Sequence, residues 1–457
     1  MSAPVVNAIA MSRRFTCTFL IPLLLATTPL LATTYQVGPS RAYTTLPALL
    51  GAVDLEPGDV VEVDGDASYA GGVIVRADDG GSAANPVVLR GVRVNGRRPH
   101  LAGGSNTIEF RQSDHVVFEG FEVSGGSARC VFVAADDITI RDAEIHACPA
   151  HGILSADNYS GSLTLEYSEI HDAGNGTYAH ALYIQSDEVA HPGSVFRMQH
   201  CYLHDGNGGN LLKSRHERNE IYYNWIEGAH YHELELIGPD QYTQQDGWSP
   251  ELVREDSDVV GNVIVHDNPA FGFILRVGGD GTGESRGRVR FVNNTVLLTS
   301  GAAGTVFRIF DGIQAVEAHN NVFYAIAGST LKLERSAEAV WSDGRQVGGS
   351  NNWFPSTAQA IPGEWSDSRT GNDPGFANLV AWDLAPAANS PLQDAANPSP
   401  LPIPGYAVSN ALHSPAWQAR RGSVLPGTAA PRGNSGPLDV GAFERIAIVI
   451  FQNGFDG

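Results

Sequence analysis

One phrase recurs along this chain from about residue 113 onward: alternating apolar residues, a turn, then a second short apolar strand. Copies occupy residues 115–123, 137–146, 163–171, 196–204, 220–226, 258–266, 289–296 and 314–323. Aligned, they place Phe121, Ala143, Ser168, Cys201, Asn224, Asn262, Asn294, Asn321 and Asn352 in one column, at intervals of 22 to 38 residues. Such intervals fit one coil of a solenoid plus loops of variable length, and the period of two within each copy makes the coil a β-coil. No single copy can bury its apolar side, so the unit is stable only when stacked on its neighbours. Five successive asparagines in one turn column predict a ladder of stacked amides. The expected fold is all-β, a right-handed parallel β-helix.

The ends are read from local signals. Residues 1–34 resemble a secretory leader: Arg13 and Arg14 precede a largely apolar run, which exits through Ala32-Thr33-Thr34. The run is short for a membrane span, and no later stretch reaches about 18 apolar residues. A secreted or periplasmic protein without a membrane span is expected. Residues 45–53 read as a short helix capping the first coil of a solenoid that runs over 35–372, and 60–63 as an early strand. A proline-rich stretch, 373–445, reads as an irregular C-terminal cap, and 446–457 as a final strand or an export tag. Loss of the leader removes two arginines and no acid, taking the net charge from −21 to −23. A surface this anionic excludes nucleic acid and anionic lipid as bulk partners, and a monomer is expected. The mature chain keeps Cys130, Cys148 and Cys201. That odd number permits at most one intrachain bridge, and Cys130 and Cys148 are the only nearby pair.

Strand alternation identifies the side chains that leave the core after each turn. It sends Tyr183 outward, then Lys213 and Arg215, then Glu233 and Glu235, then Arg276, Arg308 and Lys332. Equivalent positions on adjacent coils lie about 4.8 Å apart. The five cations on this face read either as ordinary outward polar positions or as a groove for an acidic polymer. Of 29 basic residues only Lys213 and Lys332 are lysine. Arginine keeps its proton, whereas a lysine beside other cations can release one and act as a base. Arg215 pushes Lys213 in that direction and Glu235 in the other, leaving the net direction open. Lys332 is read as structural or as a substrate contact. Histidines at 146, 171, 204 and 266 repeat at one position and read as a structural ladder; His180 and His232 stand outside it. In the long insertion 238–251, Tyr242 and Trp248 are candidates for stacking on sugar rings.

The segment Gly209-Asn-Leu-Leu-Lys213-Ser-Arg-His-Glu-Arg-Asn219-Glu-Ile-Tyr-Tyr-Asn224 resembles the lysine-serine…asparagine…asparagine coil of the alginate lyase and chondroitinase B type of polysaccharide lyase, within the pectate-lyase-like β-helical enzymes. The resemblance implies that Lys213 abstracts the proton α to a uronate carboxylate and that calcium neutralises that carboxylate. Residues 206–209 hold no carboxylate, so a calcium ion would fall to Glu233 and Glu235. β-Elimination also needs a cation for the carboxylate and a proton donor for the leaving oxygen. Arg215 or Arg276 is the candidate for the first, and His232, His180 or Tyr183 for the second. Arg308, Lys332 and Glu235 would bind the acidic polysaccharide. Two other functions stay open: a glycoside hydrolase using Glu233 and Glu235, about 7 Å apart if both face outward, and a non-catalytic carbohydrate-binding rod.

Overall fold

The computed structural model describes residues 32–239, 255–280, 285–299, 301–326, 329–341, 343–433 and 436–445, with Met1, Gly247, Ser249 and Leu252 as isolated positions. Most of the expected leader, Tyr242, Trp248 and the tail 446–457 lie outside the described residues. The chain forms a right-handed parallel β-helix. Among the described residues its strands make three parallel sheets of 13, 10 and 12 strands, and each coil contributes one strand to each sheet in turn. In one coil, for example, Val116–Glu119 joins the first sheet, Glu122–Ser124 the third and Arg129–Ala134 the second. The expected early strand is observed as Val60–Asp64, paired with a preceding strand, Thr34–Val37. A helix at Leu46–Leu50 covers the open first coil; the Thr45 hydroxyl accepts from the Ala48 N–H, and Leu46 and Leu49 are buried.

The turn between the first and third sheets explains the sequence column. Its first residue has a left-handed backbone in every coil: Gly120, Asp142, Tyr167, His200, Tyr223, Gly261, Asn293, Asn320 and Asn351 all have φ between 49° and 80°. Asparagine and glycine tolerate that conformation best. The second residue is the aligned column, and its side chain turns inward. From Asn224 onward each amide Nδ2 donates to the next coil's Oδ1, at 3.0 Å to Asn262, 3.0 Å to Asn294, 3.2 Å to Asn321 and 3.0 Å to Asn352. Each Oδ1 also accepts the backbone N–H of the coil before it. The repeated Asn-Asn pairs thus divide two tasks, one turning the chain and the other satisfying polar groups inside the turn. In earlier coils the inward place holds Phe121, Ala143, Ser168 and Cys201, all buried.

Cys130 and Cys148 form a disulfide, and Cys201 is a buried free thiol. His146, His171 and His204 end strands of the third sheet and stack with ring centroids 5.1 and 4.8 Å apart. His266 departs from that ladder: it is buried and pairs with Glu233. The C-terminal segment packs on the outside of the third sheet, where Leu384, Ala419 and Ala442 bury Trp225, Val263, Val265 and Leu297. This cover explains why Trp225–Glu227, Val263–His266 and Thr295–Leu298 are buried on both faces and lose the usual alternation. Arg432, itself buried, ties the cap together through Glu444 and the carbonyls of Asp439 and Gly441.

Replacing Asn262 by alanine should lower the urea midpoint of unfolding sharply. It strands the Asn224 N–H and the Ile221 carbonyl inside the turn, each costing about 1–3 kcal/mol. An unchanged midpoint would show that the ladder does not hold the coils together.

Candidate active site

The second sheet carries the candidate site. Its strands Leu182–Gln185, Leu212–Arg215, Leu234–Ile237, Phe273–Gly278 and Gly304–Ile309 are successive neighbours. Their register sets Tyr183 against Lys213, Lys213 against Glu235, Glu235 against Arg276 and Arg276 against Arg308. The row from Lys213 to Arg308 lies along a cleft of about 320 Å³, with His180, Asn210 and His232 at one side and Asp280 at the other. Tyr178, Tyr231 and Phe271 add aromatic surface.

Carboxylates within and beside the row partly neutralise its cations. Glu235 is buried, and its carboxylate meets Arg276 Nη1 at 2.7 Å and Lys213 Nζ at 3.8 Å. Burial pushes the Glu235 carboxyl up, but Lys213 and Arg276 outweigh it and hold the group below the usual carboxylate range. Arg276 also donates to Asp280 at 2.7 Å and lies over the Phe310 ring. Arg215 is only 3% exposed; it donates to the other Asp280 oxygen at 2.7 Å, to the Gly238 carbonyl and to the Tyr183 hydroxyl at 3.1 Å. Asp280, clasped by two guanidiniums, falls to about 2 even though burial pushes it up. Gly278 makes this possible: its φ of 102° turns the chain back toward the arginines, and a Cβ there would lie 2.5 Å from the Phe310 carbonyl.

Lys213 is the exception among these cations. Its side chain is 14% exposed, and Nζ lies 5.1 Å from the centre of the Tyr183 ring. Burial lowers its pKa; Glu235 pulls it back up, Arg215 pushes it down, and the net direction is down. The direction left open by the residues alone is therefore the one a base needs.

Several expectations change. The face is not a simple basic trough: Lys213, Arg215, Arg276 and Arg308 face Glu235, Asp280 and, through Arg308, Glu338 at 3.1 Å. Arg215 and Arg276 are held by carboxylates, and of the Arg276 guanidinium the buried Nε is left without a hydrogen-bond partner among the described residues. Lys332 lies opposite Thr305, out of the row, and lines a neighbouring depression with Phe273. Glu233 precedes its strand and does not alternate outward with Glu235. It is fully buried, 2.9 Å from His266 Nδ1, and burial raises its carboxyl to about 7. Glu235 is likewise buried rather than exposed. Each carboxylate is engaged within the protein, Glu233 by His266 and Glu235 by Lys213 and Arg276, rather than presented as an outward pair. Among the described residues, the histidine and carboxylate groups close enough to hold a metal are His100–Glu122–His146 and Glu169–His171–His204, both on the third sheet.

The two expected histidines do reach the cleft. His180 and His232 are each 5% exposed, and burial lowers both to about 3, so each is neutral at working pH. The Tyr183 hydroxyl accepts from Arg215 Nε. Asn210 and Asp280 were missed, although Asn210 lies inside the quoted lysine segment. Neither stands out in a chain with many Asn and Asp turns, and only the coil-to-coil contacts single them out.

No protein-family model matches the chain, and no curated protein matches it. Solved structures do. A structure described as pectate lyase Pel9A aligns with a TM-score of 0.54 and 16% identity, covering 91% of this chain and 96% of its own. The PL6 family alginate lyase AlyGC gives 0.39 at 12% identity, over 75% of this chain and 53% of its own. An alginate lyase from Paenibacillus sp. str. FPU-7 gives 0.33 at 14%, over 72% and 99%. The first likeness establishes the shared β-helical fold. The chain is thus similar in architecture to polysaccharide lyases, and among the described residues no helix is long and apolar enough to cross a membrane.

With only two lysines in the chain, reductive ¹³C-methylation followed by NMR can track Lys213 directly. It should titrate below the ordinary lysine range. Glu235→Gln should lower it further, because that carboxylate favours the ammonium. A Lys213 signal at or above the usual lysine value would remove the case for a free amine.

Proposed function

We propose that this chain is an exported polysaccharide lyase that cleaves a uronate-containing polymer by β-elimination, with Lys213 as the base. One observation carries the reading: the Lys213 amine, its pKa lowered, lines a cleft beside which Arg215 and Arg276 are already committed to carboxylates. An amine that must take up a proton needs a neutral resting form, and burial beside Arg215 favours it. The β-helical fold shared with polysaccharide lyases is consistent with this chemistry but does not specify it.

In this scheme neutral Lys213 takes the proton from C5 of the uronate. The C5–H electron pair forms the C4=C5 double bond, and the C4–O4 bond breaks with its electrons on O4. The Lys213 ammonium then returns the proton to O4, directly or through water, and the amine is restored. Negative charge that develops on the uronate carboxylate needs a cation. Arg308 is the candidate, with a side chain 24% exposed; among the described residues it holds Glu338 through Nε and Nη2, and Nη1 would meet the substrate. His232 is not the proton donor, because its Nδ1 proton is directed at Asn210. Glu233 and Glu235 are spent on His266 and on the cleft cations, so the scheme uses no calcium.

Purified protein incubated with polygalacturonate, alginate and glycosaminoglycans should generate an ultraviolet-absorbing unsaturated uronate from at least one of them. Lys213→Arg and Lys213→Met should lose about 10²–10⁴ of that rate, and a Lys213→Arg variant of full activity would eliminate the amine as base. The rate should rise with pH as Lys213 loses its proton, levelling off below the ordinary lysine range. A chelator should leave the rate unchanged; abolition by chelator and rescue by calcium would overturn the calcium-free scheme.

A further inference from the structure

The cleft histidines belong to a column that crosses the coils just before the second-sheet strands. In it each backbone N–H donates to the side chain one coil back: His180 N to His151 Nδ1 at 3.2 Å, Asn210 N to His180 Nδ1 at 2.9 Å, and His232 N to Asn210 Oδ1 at 3.1 Å. A backbone N–H only donates, so Nδ1 of His151 and of His180 must be bare. Neutral His180 therefore carries its proton on Nε2. Gly209 allows this approach, since with φ of 57° its missing Cβ would lie 2.3 Å from His180 Nδ1.

Asn210 reverses the pattern. Its amide orientation is fixed by chemistry: Nδ2 faces the Glu235 carboxylate, which only accepts, and Oδ1 faces the His232 N–H, which only donates. The same Oδ1 lies 3.2 Å from His232 Nδ1, so that nitrogen must carry the proton. His232 Nε2 is then a bare lone pair. It is buried and has no hydrogen-bond partner among the described residues, and His232 is one of the residues that line the cleft. A buried acceptor without a donor costs free energy until a ligand supplies one.

We infer that Asn210 is a positioning residue that holds His180 and His232 in opposite neutral tautomers, and that His232 Nε2 thereby reads an unesterified sugar hydroxyl. A carboxylate or an O-acyl group at that place would offer no proton and would leave the nitrogen unpaired. The tautomer assignment stands on hydrogen-bond geometry alone, whereas the hydroxyl contact rests on the reading of the cleft as a sugar site.

The two parts are tested separately. In resting protein labelled with ¹⁵N-histidine, long-range ¹H–¹⁵N correlations should show His180 protonated at Nε2 and His232 at the less common Nδ1, with His180→Gln and His232→Gln used for assignment. In Asn210→Leu, His232 should lose that tautomer while His180 keeps its own, because every residue at 210 retains a backbone N–H. Asn210→Asp preserves the acceptor and should preserve the His232 tautomer. Misfolding would disturb both histidines, and this pattern would not. A wild-type His232 protonated at Nε2, or one unmoved in Asn210→Leu, overturns the assignment whether or not the protein is a lyase. On whichever polymer the wild type cleaves, His232→Phe should raise KM about ten-fold, the loss of one hydrogen bond, with a smaller change in kcat. Chemically O-acetylated polymer should show the same KM rise with the wild type and none further with His232→Phe. Unchanged KM values in both arms would overturn the hydroxyl contact alone.

Discussion

Parallel pairing between successive coils is the constraint from which the rest of the structure follows. A coil has no apolar interior of its own, and its strands have no partners until another coil stacks on each side. Once stacked, equivalent residues face one another in straight rows, so any side chain leaving the sheet meets its counterpart one strand spacing away. Along the second sheet this yields a row of tyrosine, lysine, glutamate and two arginines. Charges forced this close must alternate or repel, and Lys213, Glu235 and Arg276 alternate. The site is a consequence of register before it is a consequence of chemistry.

Alternation also determines which cation stays available. Asp280 and Glu235 clasp Arg215 and Arg276, so these arginines act as fixed positive charges that hold the cleft in shape and bias their neighbours. Lys213 shares Glu235 at a longer distance, 3.8 Å, and bears the cost of burial. One strongly held carboxylate thus serves two purposes. It anchors Arg276 tightly and leaves the lysine only partly compensated, and partial compensation separates a base from a structural ion pair. Polar columns serve the same economy elsewhere. The asparagine ladder satisfies the first turn with a single side-chain type, while the column of His151, His180, Asn210 and His232 satisfies another with mixed types and so leaves one nitrogen unmatched.

Much of this was legible from residue order alone. Period-two alternation, the spacing of the Asn column and the Asn-Asn pairs depend on local backbone preference and on burial, which every copy repeats. Repetition lets a weak local signal accumulate, so the β-helix, the outward placement of Tyr183, Lys213 and Arg276, the capping helix and the proline-rich cover could be read without coordinates. Glu233 was misplaced because alternation was carried one residue beyond the true strand start, and Lys332 because a cation on the next outward position is not a cation in the same row. The covered third sheet was likewise invisible: a remote segment buries its outer face, and no local pattern announces that.

What lay beyond the chain order was partnership. Whether Arg276 is free or clasped depends on Asp280, which reaches it through a glycine turn, and on Glu235 from another coil. The direction of the Lys213 shift is a balance between burial and four charges, Glu235, Arg215, Asp280 and Arg276, whose distances no sequence pattern contains. The tautomers of His180 and His232 depend on which atom of Asn210 faces each ring. Residue type and alternation set the inventory and the side of the sheet. Pairing, protonation and hydrogen-bond direction arise largely from contacts between coils, 22 to 65 residues apart in the chain, and those exist only after the coils have stacked.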